Sequence, residues 1–334
     1  MTSLSRRAVL AAGAAMAPPA IAHAQTTYPV VGKVERLDLA LDALIDADAV
    51  VEEVQGGFVW SEGPVWVGGK GGHVLVSDPR TNIITRWSAK DGGSAWLKPS
   101  GYEGDAVAAN LSEPGTNGLF LGRGGLVVAD SGNRCIGHID LKTKRKSVIA
   151  DRFEGKRFNS PNDLCVSPVD GSIYFTDPPY GLKDGLRSPL REMDYTGVFR
   201  VAPDNTVSLI AKAEVPNGVG ISPDGRTLYH TDRTKGWVAV SLNALGESVG
   251  DRLFVDRAAS GIMGGDSLKV DQVGNVWVSC RDGIAVIAPG GRRLGNIRLN
   301  DVVSNCELGG DGYLYMSSNR RLARVPIKAR KLKI

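Results

Sequence analysis

Six positions along the chain place a side-chain oxygen at the same point of a repeated pattern: Glu62, Asn117, Asn162, Asn217, Asp266 and Asn305. The two plainest copies are "PNDLCVSPVDGSIYFTD" from Pro161 and "PNGVGISPDGRTLYHTD" from Pro216. Each opens on an Asn, runs through a short apolar stretch to a Gly-containing turn, and climbs an aromatic strand to Thr-Asp. The relatives are "EGPVWVGGKGGHVLVSD", "NGLFLGRGGLVVADS", "DSLKVDQVGNVWVSC" and "NCELGGDGYLYMSS". One Asn at a strand head most often caps a turn through its own backbone. Six aligned polar heads in otherwise apolar segments point elsewhere, because buried polar groups need partners and one cation satisfies several at once. The heads include no His and no Cys. Oxygen-only donors suit a hard cation, with Ca²⁺ the first choice and Mg²⁺ or Mn²⁺ open. Zn²⁺ would be unusual without nitrogen or sulfur. Two carboxylates balance a divalent charge.

The spacing of the heads tells what must position them. Successive intervals are 55, 45, 55, 49 and 39 residues, near the length of a four-stranded propeller blade. Within each cassette, two short strands about a Gly turn read as a β-hairpin. Between cassettes, "IITRWS", "IGHIDL", "GVFRVA" and "WVAVSL" supply outer strands. Helical periodicity is confined to "LALDALIDADA", residues 39–49, read as a short helix. The fold class is all-β: a six-bladed β-propeller with the six heads around a central metal channel. Five or seven blades are the structural alternatives. The last cassette lacks chain for a full blade, so "AVVEEVQGGFVW", residues 49–60, is expected to complete it and close the ring.

The remainder of the 334-residue sequence bounds the setting. "SRRAVLAAGAAMAPPAIAHA" pairs Arg6 and Arg7 with an apolar run and the small-residue end Ala22-His23-Ala24. It reads as a twin-arginine signal over residues 1–24, cleaved near Gln25, with a Sec signal or membrane anchor as the plainer alternatives. The implied location is the periplasm and the implied partner the twin-arginine export machinery. A single domain then covers residues 25–334. Loss of Arg6 and Arg7 leaves 38 basic against 36 acidic residues, with no basic cluster interleaved with aromatics, so nucleic acid is not an expected partner. No later stretch is apolar for long enough to span a bilayer, and no membrane partner is expected after cleavage. Cys135, Cys165, Cys280 and Cys306 are far apart in sequence and are expected to be buried thiols.

Five stretches, "FVWSEGPVW", "EPGTNGL", "NSPNDLCVSPVDGSIYFTDPPYGL", "PNGVGIS" and "GGDSLKVDQVGNVWVS", resemble the SMP-30/gluconolactonase/LRE-like family, its bacterial gluconolactonase branch most closely. The resemblance runs from about residue 40 to 325. It implies a six-bladed propeller, one divalent cation in the channel and hydrolysis of a sugar lactone to the aldonic acid. The family's metal ligands fall on Glu62, Asn217 and Asp266, with Asn162 as ligand or substrate contact. Asp266 matches its general base. Asn117, Asp163 and Tyr180 match positions around the pocket mouth, and Asn305 completes the ring of substrate-facing heads. Two departures stand out: Ser131 replaces a His usual in the bacterial branch, and Ser160 stands where some animal members carry an arginine. Cys306 also follows Asn305 near the channel.

A lactone is a cyclic ester, so its hydrolysis is acyl transfer to water, served by a Lewis acid at the carbonyl and a base for the water. Other nucleophile schemes lack residues. His73, His138 and His230 are not cassette heads and read as strand residues, and no G-x-S-x-G elbow is present. Two rival readings stay open: the same metal site acting on a phosphotriester or aryl ester, and a non-enzymatic binding propeller with a structural ion. Residues 178–196 are long for a strand connection and read either as a lid carrying Tyr180 or as a solvated insertion.

Overall fold

The computed structural model describes residues 27–333 apart from residue 70; the expected signal segment, residues 1–24, lies outside the described residues. Among the described residues the chain is all-β, and helix is limited to the short turns Leu39–Ala43, Gly185–Arg187 and Arg257–Ser260. The first of these realises part of the helix expected over 39–49. Asp38 caps it by accepting from the Ala40 N–H at 2.8 Å.

Each cassette is an antiparallel hairpin extended by its expected outer strands. Glu62–Val67, His73–Asp78, Ile83–Ser88 and Gly92–Leu97 form one four-stranded sheet in chain order. Three further sheets of four start at Thr116–Gly122, Leu164–Val166 and Val219–Ile221. The last two cassettes, starting at Leu268–Val270 and Asn305–Leu308, belong to a nine-stranded sheet. In it Val50–Gly56 pairs with Arg321–Pro326, so a strand from the start of the described chain lies outermost on the last cassette. A strand the sequence reading did not name, Val30–Arg36, pairs with both Val50–Gly56 and Arg293–Leu299 and joins the two halves.

Apolar side chains fill the space between neighbouring sheets. Val65, Leu75 and Ile84 of the first sheet pack on Leu119, Leu126, Val128 and Ile139 of the second. Trp87, Trp237 and Trp277 are fully buried. Each fully buried Val, Leu or Ile contributes roughly 1.5–3 kcal/mol. The sheet faces therefore supply the stability that allows a polar axis.

At that axis the first strands of the sheets touch in cyclic order, Glu62–Val67 meeting Thr116–Gly122 on one side and Asn305–Leu308 on the other. The approach is close. Gly63 has φ +42°, and a Cβ there would lie 2.1 Å from the Asn117 carbonyl oxygen, so only glycine fits. Hydroxyls ending the second strands fasten the heads. Ser77 Oγ donates to the Asn117 carbonyl, Thr176 Oγ1 to that of Asn217 and Ser279 Oγ to that of Ser304. The Asp after the Ser or Thr caps the loop entering its own cassette's head: Asp177 accepts from Asn159 and Ser160 N–H, ahead of Asn162, and Asp232 from Glu214 N–H, ahead of Asn217. In the repeated Ser/Thr-Asp ending the hydroxyl thus reaches the neighbouring head and the Asp holds its own.

Candidate functional site

Five of the six head residues open into one cavity of about 980 Å³. Glu62, Asn117, Asn162, Asn217, Asp266 and Tyr180 line it, together with Trp60, Arg80, Glu113 and the apolar Ile262, Met263, Val302 and Val303. Backbone bonds between neighbouring heads fix their relative positions. Gly118 N–H donates to the Asn162 carbonyl at 2.7 Å, and Gly218 N–H to the Asp266 carbonyl at 2.8 Å.

Three of the head side chains carry a buried oxygen without a partner: Asn117 Oδ1, Asn217 Oδ1 and Asp266 Oδ1. Leaving such acceptors unsatisfied costs of order 1–3 kcal/mol each. The carboxylates repel as well. Burial pushes Glu62 up to about 8, with the charges of Glu113 and Asp163 adding to it and the Trp60 indole N–H, 3.1 Å away, opposing. Burial, then the charges of Glu62, Asp163 and Glu113, raises Asp266 well above the usual carboxylate range. The Tyr180 phenol is pushed up to about 12 by burial and the nearby Asp266 charge. Orphaned oxygens and mutually repelling carboxylates around one space are what a divalent cation relieves, and the donors are hard oxygens. Among the described residues no three His, Cys, Asp or Glu side chains cluster as a metal site, so a cation here takes amide oxygens besides the two carboxylates. Glu62, Asn162, Asn217 and Asp266 fit that role.

Two residues expected at the substrate do not line the cavity. Asp163, expected at the mouth, is buried and turned away. Its carboxylate accepts from Leu164 N–H and Ser267 Oγ and lies 3.4 Å from the buried Lys269 ammonium. Asn305 spends its Oδ1 on the Cys306 N–H at 2.8 Å, the turn-capping role available to any such head. A cationic neighbour outcompetes the cavity for Asp163, and a local backbone donor does so for Asn305.

The connection over residues 178–196 is part of the wall. Leu111 and Leu182 form a bridge, Ser112 N–H donates to the Gly181 carbonyl and Ser112 Oγ to that of Tyr180. Leu182 and Met193 are buried. The two sequence departures lie directly beneath it. Gly181 N–H donates to Ser160 Oγ at 2.7 Å, and a Cβ on Gly181 would meet Ser160 Oγ at 2.6 Å and Ser131 Cβ at 3.0 Å. Small residues at 131 and 160 give this segment its seat. Trp60, Arg80 and Glu113 also line the cavity, although none of them is a cassette head. The "EPGTNGL" stretch contained Glu113, but its depth depends on pairing with residues 180–183. All four cysteines are buried and free, and His138 and His230 lie in strands Cys135–Ile139 and Thr227–Asp232.

This oxygen-lined, all-β architecture belongs to a described class. The model of the SMP-30/gluconolactonase/LRE-like region matches residues 60–320, and the chain belongs to that family. A gluconolactonase of Zymomonas mobilis subsp. mobilis is 40% identical over 314 residues, covering 89% of this chain and 87% of the relative. The structure of a gluconolactonase from Xanthomonas campestris superposes with a TM-score of 0.77 at 27% identity, covering 91% of this chain and 99% of that one. A calcium-binding protein, regucalcin, from Agrobacterium tumefaciens strain C58 shares the fold at TM-score 0.64 and 15% identity, covering 93% of this chain and 100% of that one.

Proposed function

We propose that this protein is a metal-dependent lactonase that hydrolyses a sugar lactone of the D-glucono-1,5-lactone type to the aldonic acid. The observation that carries the reading is the set of buried, unpartnered oxygens of Asn117, Asn217 and Asp266, which share one cavity with Glu62 and Asn162. Kinship with gluconolactonases supports the substrate class. Glu62, Asn162, Asn217 and Asp266 hold one divalent cation, Ca²⁺ by the hardness and number of the oxygens. That cation supplies Lewis acidity to the ester carbonyl and charge to balance the two carboxylates. The neutral amides of Asn162 and Asn217 add ligands without adding negative charge. Asp266 takes a proton from the attacking water as the water oxygen bonds to the carbonyl carbon. It returns the proton to the ring oxygen as the C–O bond breaks, so water is added across the ester. Asn117 and Tyr180 orient the ring.

The same reading makes the sheets six blades around the channel, with Val50–Gly56 closing the last, as one domain over residues 25–334. It makes residues 1–24 a twin-arginine signal and the enzyme periplasmic; the secreted form should begin near Gln25 on N-terminal sequencing. The substrate assignment is tested by proton release on D-glucono-1,5-lactone beside an aryl ester and a paraoxon-like phosphotriester. Turnover of the lactone in clear preference to both supports it. Turnover of the esters alone would transfer the site to another hydrolase, and turnover of none would leave a binding protein.

A further inference from the structure

Glu113 has no part in the reaction described above, yet it is placed as a binding group. It precedes its strand by three residues, in a stretch held down by the Ser112 and Glu113 N–H groups, which donate to the Gly181 carbonyl. Its side chain lines the cavity, the residue is only 8% exposed, and Oε2 is buried without a partner. Its neighbours leave that oxygen free. Burial pushes the Glu113 carboxyl above its ordinary range, and the Arg80 guanidinium, which lies over the Trp60 ring at 5.0 Å, and the Asn117 side chain oppose that shift. Ile262, Met263, Val302 and Val303 also line the cavity and their side chains offer a sugar hydroxyl nothing, while the other charged side chains of the lining outside the cation-ligand set, Arg80, Arg257 and Arg281, can only donate.

A lactone held by its carbonyl at the Glu62 and Asp266 end turns its ring substituents toward these walls. A polar site that expects a hydroxyl discriminates strongly against a substrate lacking it, because the site's own buried group is then left unpaired. We propose that Glu113 is a specificity-determining residue that accepts hydrogen bonds from the ring hydroxyls of the lactone, so that the cavity selects polyhydroxylated over unsubstituted lactones. The proposal rests on the lactonase reading and adds to it the group that reads the sugar.

The test compares wild type, Glu113→Gln and Glu113→Met on D-glucono-1,5-lactone and on δ-valerolactone, which keeps the ester and lacks the hydroxyls. δ-Valerolactone is scored as a substrate where it turns over and as a competitor where it does not. A hydrogen bond to a charged group is worth about 1.5–3 kcal/mol. The kcat/KM on glucono-lactone should therefore fall roughly 10-fold in the Gln variant and roughly 100-fold in the Met variant, mainly through KM. The δ-valerolactone constant and the Ca²⁺ dissociation constant should stay within about twofold. Equal losses on both lactones, no loss on glucono-lactone, or a tenfold weaker Ca²⁺ constant would each overturn the proposal. A wild type that hydrolyses neither lactone would instead remove the lactonase reading.

Discussion

Chelating the cation should expose the repulsion stored between the channel carboxylates, and pH should set its size. Glu62 is pushed from 4.5 to about 8 in the metal-free fold, chiefly by burial. Each pKa unit corresponds to about 1.4 kcal/mol, so the shift is worth on the order of 5 kcal/mol. In the window between those two values the folded, metal-free chain holds a proton on Glu62 that the unfolded chain has released. Its stability is thus fully present below about pH 4.5 and is lost as pH rises through about 8. Asp266, also raised, acts in the same direction. At about 2–4 °C per kcal/mol, chelated protein should melt on the order of 10 °C lower at pH 8 than at pH 5, and saturating Ca²⁺ should largely remove the difference. The reciprocal effect is that binding displaces the proton, so the apparent Ca²⁺ affinity should rise at least about tenfold per pH unit across this window, and more steeply where Asp266 releases its proton too. Calorimetric titration and thermal melts with and without chelator measure both. A melting temperature of the chelated protein that is flat or rising with pH, together with a pH-independent affinity, would refute the reasoning.

Three single variants and one double variant separate the site from its scaffold. Asp266→Asn should lower kcat by about 10²–10⁴-fold while calorimetry still detects a bound cation; unchanged turnover would remove Asp266 as the base. Gly63→Ala, with its Cβ aimed at the Asn117 carbonyl oxygen, should cost more than about 3 kcal/mol in urea unfolding and weaken cation binding; a neutral effect would mean the first strands are not so tightly apposed. Lys269→Met should destabilise by about 3–5 kcal/mol by leaving the buried Asp163 unpaired, and the further change Asp163→Asn should restore part of that loss. Additive losses in the double variant would dissolve the pair.

What the sequence disclosed was local. The hairpins announced themselves because a Gly turn between two apolar strands is written in consecutive residues, and outer strands such as Ile83–Ser88 and Gly197–Val201 fell where expected. The head residues were legible because the repeat aligned them. What stayed hidden depended on distant partners. Val30–Arg36 is a strand by virtue of Arg293–Leu299, more than 250 residues away. Asn305 shares the register of the cavity residues and Asp163 lies one residue past it, but the Cys306 N–H and Lys269 claim their oxygens. Glu113 sits in a loop with no periodicity, and residues 180–183 set its depth. Ser131 and Ser160, the two departures from the family pattern, are the floor on which Gly181 rests.

The central claim is that the ring of head oxygens works as a cation site for lactone hydrolysis. Its most direct test is proton release from D-glucono-1,5-lactone by wild-type protein before chelation, after chelation, and after Ca²⁺ is returned. The account predicts turnover that is lost on chelation and recovered with about one equivalent of Ca²⁺ per chain. Undiminished hydrolysis in the fully chelated protein would contradict it.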